Sequence, residues 1–553
     1  MGLILVTALG LLPVLLIYRY IIYPVFFSAL SRIPAPHWTC HISPLWILAA
    51  RKWRRENTSL YRAHQRLGPV IRIGPNEVSV DGLEGMRTIY QGGFEKGRWY
   101  SVFDNYGVPN MFATGNSKHH SLRKRMISYV YSKSYIQSSQ ASKLQMAEIL
   151  VNRLLPALDG SLEYSRKSIS TDYNDVEVFG LYLATAMDLI TAYIFGLSNA
   201  TNFIADEPYR RDWQDMYLAR ANYPFWTQEV PKLTNFCKRW IPWLKLYPQW
   251  VDQSNKKLSD WNWELCENVR KTSKVKRSPG NSQDITFSDE PVVYNSLLAG
   301  IDREFKTNGE KSILYSTSIL QRDRAVASEV MDHSLAGQET AGIALTYATW
   351  HISKSPELQR QLHAEVQSLK PSLMTDPKAA SVITNTSALP DPKEVDSLPL
   401  LHAIVTETLR LHAPIPGPQP RQTPKNGCSI GGYYIPGDVR IASLAYTLHR
   451  DKEVFPEPGE WNPERWVEEK TRKSPEDEVK HREMQRVFWA FGSGGRMCVG
   501  SNFAMNEMKF ILAFIYANFE TSIVDDEGIE QEDAYTARPI GEKLVIRFIP
   551  LKT

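Results

Sequence analysis

The sequence predicts a mainly α-helical protein with a small β region and one N-terminal transmembrane helix. Apolar residues recur at helical spacing over four long stretches, and few strands interrupt them. The β region is predicted by the alternation and turn residues of VIRIGPNEVSV. The transmembrane helix is predicted by an apolar, almost uncharged N-terminus. The four helical stretches cover residues 117–131, 174–196, 248–272 and 325–353.

Charge and cysteine content exclude several classes of protein. The 553-residue chain has a net charge of only +4, which gives no overall argument for nucleic-acid binding. It has five scattered cysteines and no CxxC pair, a pattern that argues against a disulfide framework or a structural zinc site. We therefore expect the main body to face a reducing compartment. The cysteines are Cys40, Cys237, Cys266, Cys428 and Cys498.

The N-terminal 30 residues are predicted to form a membrane anchor. Residues 2–18 carry no charge, and a second apolar run follows Arg19, which together exceed the roughly 20 residues needed to cross a bilayer. A cleaved signal peptide is the alternative, but no basic segment precedes the apolar run. Positive charges such as Arg32 and Arg51 follow the span, so the positive-inside rule places the main body in the cytosol.

Two prolines separate the anchor from the rest of the chain. Pro34 and Pro36 predict a stiff, extended hinge over residues 31–45 and a single globular domain over residues 46–553. That domain is expected to open with an amphipathic helix from Trp46 to Leu67.

An aromatic-rich segment lies in the middle of the chain, from Tyr223 to Trp250. Such a segment is compatible with an ordinary core and also with contact with a membrane interface. No dinucleotide or P-loop fingerprint occurs anywhere, so the chain is predicted to contain no reductase domain.

The segment FGSGGRMCVG, residues 491–500, contains the strongest candidate site. Cys498 lies near the start of a predicted helix, where free NH groups and the helix dipole favour a thiolate, a strong iron ligand. Arg496 offers a permanent, forked charge suited to a carboxylate. The alternative is a glycine-rich turn with one buried cysteine. Glycine has no side chain, so a flat cofactor could approach the backbone of this loop closely. The glycines of the loop are Gly492, Gly494, Gly495 and Gly500.

The predicted helix over residues 325–353 contains the string AGQET. Small residues one turn before Thr340 would let its hydroxyl bond back to the preceding turn and open the helix slightly. Glu339 and Thr340 would then form a short proton route to bound oxygen. Taken alone, this string is a weak signal.

A structural cluster is predicted from two further strings. Glu407 and Arg410 lie three residues apart on a helix and share a face. Arg465, in NPERW, could complete a buried Glu–Arg–Arg cluster behind the cysteine loop. We expect this cluster to fix the cysteine loop rather than to take part in chemistry, because removing one charge would leave another buried and unpaired.

These strings resemble the signatures of cytochrome P450 enzymes. The haem-binding signature F-x-x-G-x-R-x-C-x-G is matched at every specified position, and AGQET resembles the oxygen-binding helix signature [AG]-G-x-[DE]-T. ETLR and PERW resemble the family's E-x-x-R and P-E-R-F motifs, with Trp466 in place of phenylalanine. Ala341 replaces a frequent polar residue, which puts one secondary hydrogen bond in doubt. The signature positions are Phe491, Gly494, Arg496, Cys498 and Gly500.

The resemblance also implies partners for the haem propionates. His120 and Lys124 correspond to the family's W-x-x-x-R pair, although both residues differ from it, and Arg125 could serve instead. Arg421 occupies the place of another propionate partner. The remaining charges of this helix, Lys118 and Arg123, are equally compatible with a solvent-facing surface that docks an acidic redox partner.

The resemblance covers nearly the whole chain and is greatest to the microsomal enzymes of filamentous fungi. It implies a helical triangular prism with small β-sheets that holds haem b (iron protoporphyrin IX) through Cys498, the axial iron ligand. It implies one pass through the endoplasmic reticulum membrane, with the catalytic domain cytosolic and in contact with membrane lipids. Electrons would come from NADPH–cytochrome P450 reductase, with cytochrome b5 as a further donor.

The implied reaction inserts one oxygen atom from O2 into a lipophilic small molecule, by hydroxylation, epoxidation or multistep oxidation. A tailoring step in fungal secondary metabolism is the expected setting. Two alternatives are a haem-thiolate isomerase or dehydratase that does not use O2, and a non-enzymatic membrane-anchored haem or lipid carrier. Neither needs the acid and alcohol at Glu339 and Thr340. The segments expected to line the pocket, residues 101–112, 332–336, 413–417 and 537–540, identify no particular substrate.

Overall fold

The computed structural model describes residues 11–160, 174–276, 286–374, 389–467 and 474–551. These residues are mainly helical, so the predicted fold class is confirmed. The longer α-helices are Leu45–Lys52, Glu56–Leu67, Ser117–Ile127, Gln140–Ala147, Val178–Phe195, Glu207–Arg220, Pro231–Trp240, Gln249–Lys276, Val292–Asn308, Arg322–Ser353, Pro356–Val366, Pro399–Leu411, Pro475–Val487 and Ser501–Asn518. Shorter ones are Gly82–Met86, Lys133–Ser138, Leu155–Leu158, Pro224–Gln228, Pro392–Asp396 and Ala445–Leu448.

The strands of the described residues form three small sheets. They are β1 (Val70–Gly74), β2 (Glu77–Val80), β3 (Asn174–Glu177), β4 (Arg421–Gln422), β5 (Cys428–Ile430), β6 (Tyr433–Ile435), β7 (Arg440–Ala442), β8 (Phe519–Asp525) and β9 (Val545–Pro550). The predicted hairpin is confirmed, because β1 pairs antiparallel with β2. The first sheet has the order β1-β2-β7-β4, with β2 and β7 parallel. The second has the order β3-β9-β8, and β5 pairs with β6.

Two predicted helix boundaries are wrong. The helix expected from Trp46 to Leu67 is two helices, because the chain turns at Arg54, whose φ is 51°. The helix expected from residue 174 begins at Val178 instead. The four residues before Val178 bond their backbone to β9, a partner that is distant in sequence and leaves no trace in local periodicity.

The centre of the fold is the helix Arg322–Ser353, called the central helix below. It packs along Val178–Phe195, whose side chains are almost all buried. The two helices approach closely at Gly337, where a Cβ atom would lie 2.9 Å from the Cγ1 of Ile190. The small residue therefore serves helix packing, a role that the sequence interpretation did not include.

Among the described residues, Val178–Phe195 is the one helix that is long and apolar enough to cross a membrane. It is 94% buried inside the protein, as expected for a core helix. Leu11–Phe27 is a shorter apolar helix, and residues 1–10 lie outside the described residues. The anchor over residues 1–30 therefore stays a prediction.

The predicted hinge packs against the first sheet through Arg72 on β1. The fully buried guanidinium of Arg72 donates from Nη1 to the carbonyl oxygen of Pro24 at 2.9 Å and to Nδ1 of His41 at 3.0 Å. Its backbone NH donates to the carbonyl oxygen of Pro34 at 2.8 Å. A single buried side chain thus sets the direction in which the N-terminal segment leaves the domain.

The aromatic-rich segment between Tyr223 and Trp250 is only partly packed. The side chains of Phe236, Trp240 and Trp243 are exposed. The interpretation of this segment as ordinary core is therefore wrong for these three residues.

Candidate active site

The cysteine loop, residues 491–500, is closed by its own backbone. The NH of Cys498 donates to the carbonyl oxygen of Phe491 at 2.9 Å, and that of Met497 donates to Gly494 at 3.1 Å. The helix Ser501–Asn518 begins directly after Gly500, so Cys498 lies just before a helix start, as predicted. The side chain of Cys498 is accessible to solvent. The loop therefore presents one thiol on a rigid turn.

Surrounding protein raises the pKa of Cys498, although solvent can reach its side chain. Burial is the main cause, and the charge of Asp332 adds to it. The backbone NH groups of Gly500 and Ser501 and the charge of Lys124 act in the opposite direction. The helix start thus favours the thiolate as expected, but desolvation outweighs it. Coordination to a metal ion would overcome this difference, because metals deprotonate the thiols that bind them.

A side chain at Gly494 in this loop would clash with the protein's own backbone. Its φ is 70°, and a Cβ atom would lie 2.2 Å from the carbonyl oxygen of Tyr90. At Gly495 a Cβ atom would meet nothing within 4 Å. The requirement for glycine at residue 494 therefore comes from the protein's own backbone, not only from the approach of a flat cofactor.

Two arginines predicted as propionate partners are bound to neutral groups. Arg496 donates from Nη1 to the carbonyl oxygen of Thr114 at 2.6 Å and from Nη2 to that of Gly115. Arg421 donates from Nη1 to the Tyr100 hydroxyl at 3.0 Å. Burial, together with the charge of Arg421, lowers the pKa of Arg496 to about 10. Neither arginine forms an ion pair with an acid in the described part of the chain.

Lys96 is a candidate functional residue that the sequence interpretation missed. Its buried ammonium donates to the carbonyl oxygen of Phe112 at 2.7 Å and lies 4.0 Å from the ring centroid of Tyr100. Burial and the charges of Arg421 and Arg496 hold its pKa well below the ordinary value. The available signal was a lone lysine between aromatic residues in FEKGRWY.

The predicted pair His120 and Lys124 divides into two roles. His120 is buried, and burial followed by the charges of Arg496, Lys96, Lys124 and Arg421 lowers its pKa to about 3. Lys124 donates from Nζ to the carbonyl oxygens of Gly495 at 3.0 Å and Met497 at 3.3 Å. Lys124 therefore holds the cysteine loop.

Of the other charges on that helix, Arg125 is exposed. Arg123 is buried and donates to the hydroxyls of Ser318 and Thr317. The interpretation of Arg123 as a solvent-facing charge for a redox partner is therefore wrong, because its guanidinium links two helical segments.

Lys96, Arg421 and Arg496 form what we call the cation cluster, and the neutral ring of His120 lies within reach of their charges. Arg421 lowers the pKa of Lys96 and of Arg496, and Arg496 lowers that of Lys96, so the cluster repels itself. Within the described ranges no carboxylate is ion-paired with any member. Buried cations of this kind are stable only beside an anion. A ligand with two carboxylates fits the cation cluster, and a metal ion in the same ligand fits the sulfur of Cys498. Haem has two carboxylates and a metal ion.

The acid and the alcohol on the central helix are held apart. The Thr340 hydroxyl donates to the carbonyl oxygen of Ala336 at 3.0 Å, the predicted back-bond, although the helix remains continuous. The buried Glu339 carboxylate accepts from the Tyr217 hydroxyl at 2.7 Å and lies 3.6 Å from Nε of Arg538. The structure thus shows no hydrogen bond between Glu339 and Thr340 among the described contacts.

The predicted Glu–Arg–Arg cluster is confirmed. Glu407 and Arg410 are fully buried and joined by two hydrogen bonds of 2.8 Å. Arg465 donates from Nε to Glu407 at 3.0 Å. Trp466, which departs from the family pattern, donates from its indole nitrogen to Glu407 at 2.7 Å. The departure therefore adds a hydrogen bond that phenylalanine could not make.

His449 connects this cluster to the cysteine loop. Its Nδ1 donates to the carbonyl oxygen of Arg410 at 2.8 Å, and its Nε2 accepts from the NH of Trp489 at 2.8 Å. Trp489 in turn donates to the hydroxyl of Ser493 at 2.9 Å. Burial, and next the charge of Arg410, lowers the pKa of His449 to about 3, so the ring is neutral. No motif indicated this residue.

A sequence model of the family Cytochrome P450 matches residues 41–542. The chain belongs to the cytochrome P450 family. The cytochrome P450 monooxygenase tazI of Aspergillus terreus is 24% identical over 524 residues, 93% of this chain and 92% of the relative. The cytochrome P450 monooxygenase avaI of Aspergillus versicolor is 26% identical over 458 residues, 80% of this chain and 93% of the relative.

This membership confirms several predictions about the P450. The chain is an oxidoreductase of the monooxygenase type, as its fungal relatives are. Its family implies a haem-thiolate cofactor, a small-molecule substrate, O2 and a redox partner. The sequence motifs therefore identified the family before the fold was known.

We predict that Glu407→Gln destabilises this P450 by about 3–5 kcal/mol, because Arg410 and Arg465 lose their buried counter-charge. Urea unfolding followed by tryptophan fluorescence would measure this loss. Glu453→Gln, at an exposed site nearby, is the control and should leave the free energy of unfolding unchanged. Equal stability of the two variants would contradict the structural role of Glu407.

A second pair of variants tests the steric requirement at Gly494. Gly494→Ala should cost about 1–3 kcal/mol through backbone strain alone, and the clash with Tyr90 adds to this cost. Gly495→Ala, one residue later, should be tolerated because its Cβ atom meets nothing within 4 Å. Thermal unfolding and haem content per polypeptide would be compared. Similar losses in both variants would argue against this assignment.

The neutral state of His449 predicts a dependence of stability on pH. Its pKa is about 3 in the folded P450 and near 6.5 when unfolded, so unfolding takes up a proton below pH 6.5. Stability is therefore lost as the pH falls, by about 2 kcal/mol at pH 5. His449→Gln removes this proton uptake. The difference in free energy of unfolding between the native protein and the variant should therefore be about 2 kcal/mol smaller at pH 5 than at pH 7. An unchanged gap in urea unfolding would refute the assignment.

Proposed function

We propose that this P450 inserts one oxygen atom from O2 into a lipophilic small molecule, by hydroxylation, epoxidation or multistep oxidation. The observation that carries the proposal is the accessible thiol of Cys498 beside a buried, self-repelling cation cluster. Haem b would fit this arrangement: Cys498 would hold its iron, and Arg421, Arg496 and Lys96 would hold its propionates. When bound, haem would supply the O2 site and the oxidising power for the insertion.

The protein's own residues would orient the cofactor and hold Cys498 in place. Arg421, Arg496 and Lys96 would orient the cofactor, because its carboxylates would relieve the repulsion between these buried cations. Lys124 and His449 hold the cysteine loop from two sides through the hydrogen bonds described above. The sulfur position would therefore be set before the cofactor binds.

Proton supply is proposed to involve Thr340 and Glu339. The Thr340 hydroxyl donates its hydrogen bond to the carbonyl oxygen of Ala336. This hydrogen bond must break before Thr340 can donate to another group. The Glu339 carboxylate would be held in place by the Tyr217 hydroxyl, which donates a hydrogen bond to it. An acid and an alcohol adjacent on the central helix favour oxygen chemistry over the isomerase, dehydratase and carrier alternatives.

We further propose that residues 1–30 anchor the P450 in the endoplasmic reticulum membrane, with residues 31–45 as hinge and residues 46–553 as the cytosolic catalytic domain. The exposed Trp240 and Trp243 would form a second contact with membrane lipids. NADPH–cytochrome P450 reductase, with cytochrome b5 as a further donor, would supply electrons. A tailoring step in fungal secondary metabolism agrees with the fungal origin of the similar monooxygenases.

Cys498→Ser tests this proposal. We expect the variant to fold but to lose the long-wavelength absorption of the reduced, CO-treated thiolate complex, together with all NADPH-dependent product. Cys428→Ser, on β5 away from the loop, is the matched control and should keep both. A Cys498→Ser variant with both properties intact would refute the proposal. Product that still forms without O2 and reductase would instead favour the isomerase or dehydratase.

A further inference from the structure

We infer that the substrate carries a positively charged amine and that the Asp332 carboxylate on the central helix binds it. The inference rests on the proposed function, since it concerns the substrate of the same active site. It specifies one chemical class among the lipophilic molecules that the proposal allows.

The first argument is the position of Asp332 on the central helix. Between Ala325 and Thr349 every residue is buried except five. Asp332, Ala336 and Thr340 are spaced by four residues and therefore lie on one face. Asp332 is about 12 Å along the helix axis from Thr340. The five residues are Asp332, Leu335, Ala336, Gly337 and Thr340.

The second argument is that the charge of Asp332 reaches three other parts of the chain. Its charge acts on Lys96, on Cys498 of the cysteine loop and on Tyr535 near the C-terminus. Burial dominates the pKa of all three groups, and Asp332 contributes to each. The carboxylate therefore lies within electrostatic reach of three separate segments, and it stands on the helix face that also carries Ala336 and Thr340.

The third argument is that this carboxylate has no counter-charge of its own. In the part of the chain that the structure describes, Asp332 makes no hydrogen bond and no ion pair. Its charged neighbours are already engaged: Glu329 accepts from the NH of Met111 at 2.8 Å, and His333 shares a hydrogen bond of 2.9 Å with the Tyr131 hydroxyl.

Lys96, a member of the cation cluster whose charge acts on Asp332, is also engaged, by the carbonyl oxygen of Phe112. Surrounding protein raises the pKa of Asp332 to about 7 although the residue is only half-buried, the charge of Glu329 adds to the rise, and neither His333 nor Lys96 brings the pKa back to the ordinary range. A desolvated carboxylate is stabilised by a cation that comes close to it. The ligand is the group available to supply that cation.

The fourth argument is the aromatic rings around two groups on which Asp332 acts, Lys96 and Tyr535. Rings from residues 99–112 and from the C-terminal segment form one connected set, in which Trp99 contacts Tyr535 at 5.2 Å and Phe103 at 6.1 Å between centroids. Phe103 contacts Phe112 at 5.1 Å. Aromatic faces attract organic cations and also bury apolar groups. A carboxylate whose charge reaches groups among aromatic rings therefore favours a lipophilic ammonium over a neutral hydrocarbon or an acid.

A matched pair of probes tests the inference on the full-length, haem-loaded protein in detergent. The first probe is trimethyl(4-phenylbutyl)ammonium, which can neither titrate nor coordinate iron. The second is its uncharged isostere, in which a tert-butyl group replaces the trimethylammonium group. Binding of each would be measured by calorimetry and by the change in the haem absorption spectrum.

We expect Asp332→Asn to weaken binding of the cation roughly 10- to 100-fold and to leave binding of the isostere unchanged. Asp332→Glu keeps the charge and should retain most of the affinity for the cation. Asp212→Asn, at an exposed site on Glu207–Arg220, is the control for a general change in charge. The thiolate spectrum of the same preparations reports separately on the proposed function.

Two results would overturn the inference. One is equal affinity of the native protein and Asp332→Asn for the cation. The other is an equal loss for both probes in Asp332→Asn, because that result assigns Asp332 a role in the shape of the pocket and not in charge recognition. If the thiolate spectrum is absent from the native protein while the charge preference persists, the proposed function fails and the recognition of a cation stands.

Discussion

The buried carboxylate of Glu407 is the interaction on which the geometry of the site depends. It neutralises Arg410 and Arg465 in a region from which water is excluded, and it accepts a further hydrogen bond from Trp466. A buried charge group of this kind adds little net stability, but it is costly to disturb and therefore permits one arrangement. His449 transmits that arrangement to the cysteine loop through two hydrogen bonds. The position of the Cys498 sulfur thus depends on a carboxylate in another part of the chain.

The cation cluster differs from the Glu407 group, because its like charges lie together without a counter-charge. Burial and mutual repulsion lower the pKa of Lys96 and Arg496, and hydrogen bonds to neutral oxygens offset only part of the desolvation. Such a site stores unfavourable electrostatic energy that a bound dianion would release. Binding of the cofactor and stability of the fold are therefore coupled in this P450, as they are in other proteins whose ligand completes the charge balance.

The fold and the site differ in how far local patterns could predict them. The helices over residues 117–127, 249–276 and 322–353 follow from apolar periodicity, and the hairpin of β1 and β2 follows from alternation and a Gly–Pro turn. Strand β3 could not be predicted in this way, because its partner β9 lies more than 350 residues away. Lys96, Asp332 and His449 carry no motif either. Their importance comes from burial and from neighbours that other segments supply.

The sequence by itself determined the chemistry of this protein: the residue types and spacing around Cys498, the acid–alcohol pair at Glu339 and Thr340, and the Glu407–Arg410 pair. Motifs of this kind are readable because one short segment contains all the groups that must act together. The tertiary structure alone decided the environment of each group. It turned Glu339 toward Tyr217, buried Arg123 and left Asp332 without a counter-charge. The physical reason is that desolvation and Coulomb interactions depend on distances in space, which a linear pattern does not contain.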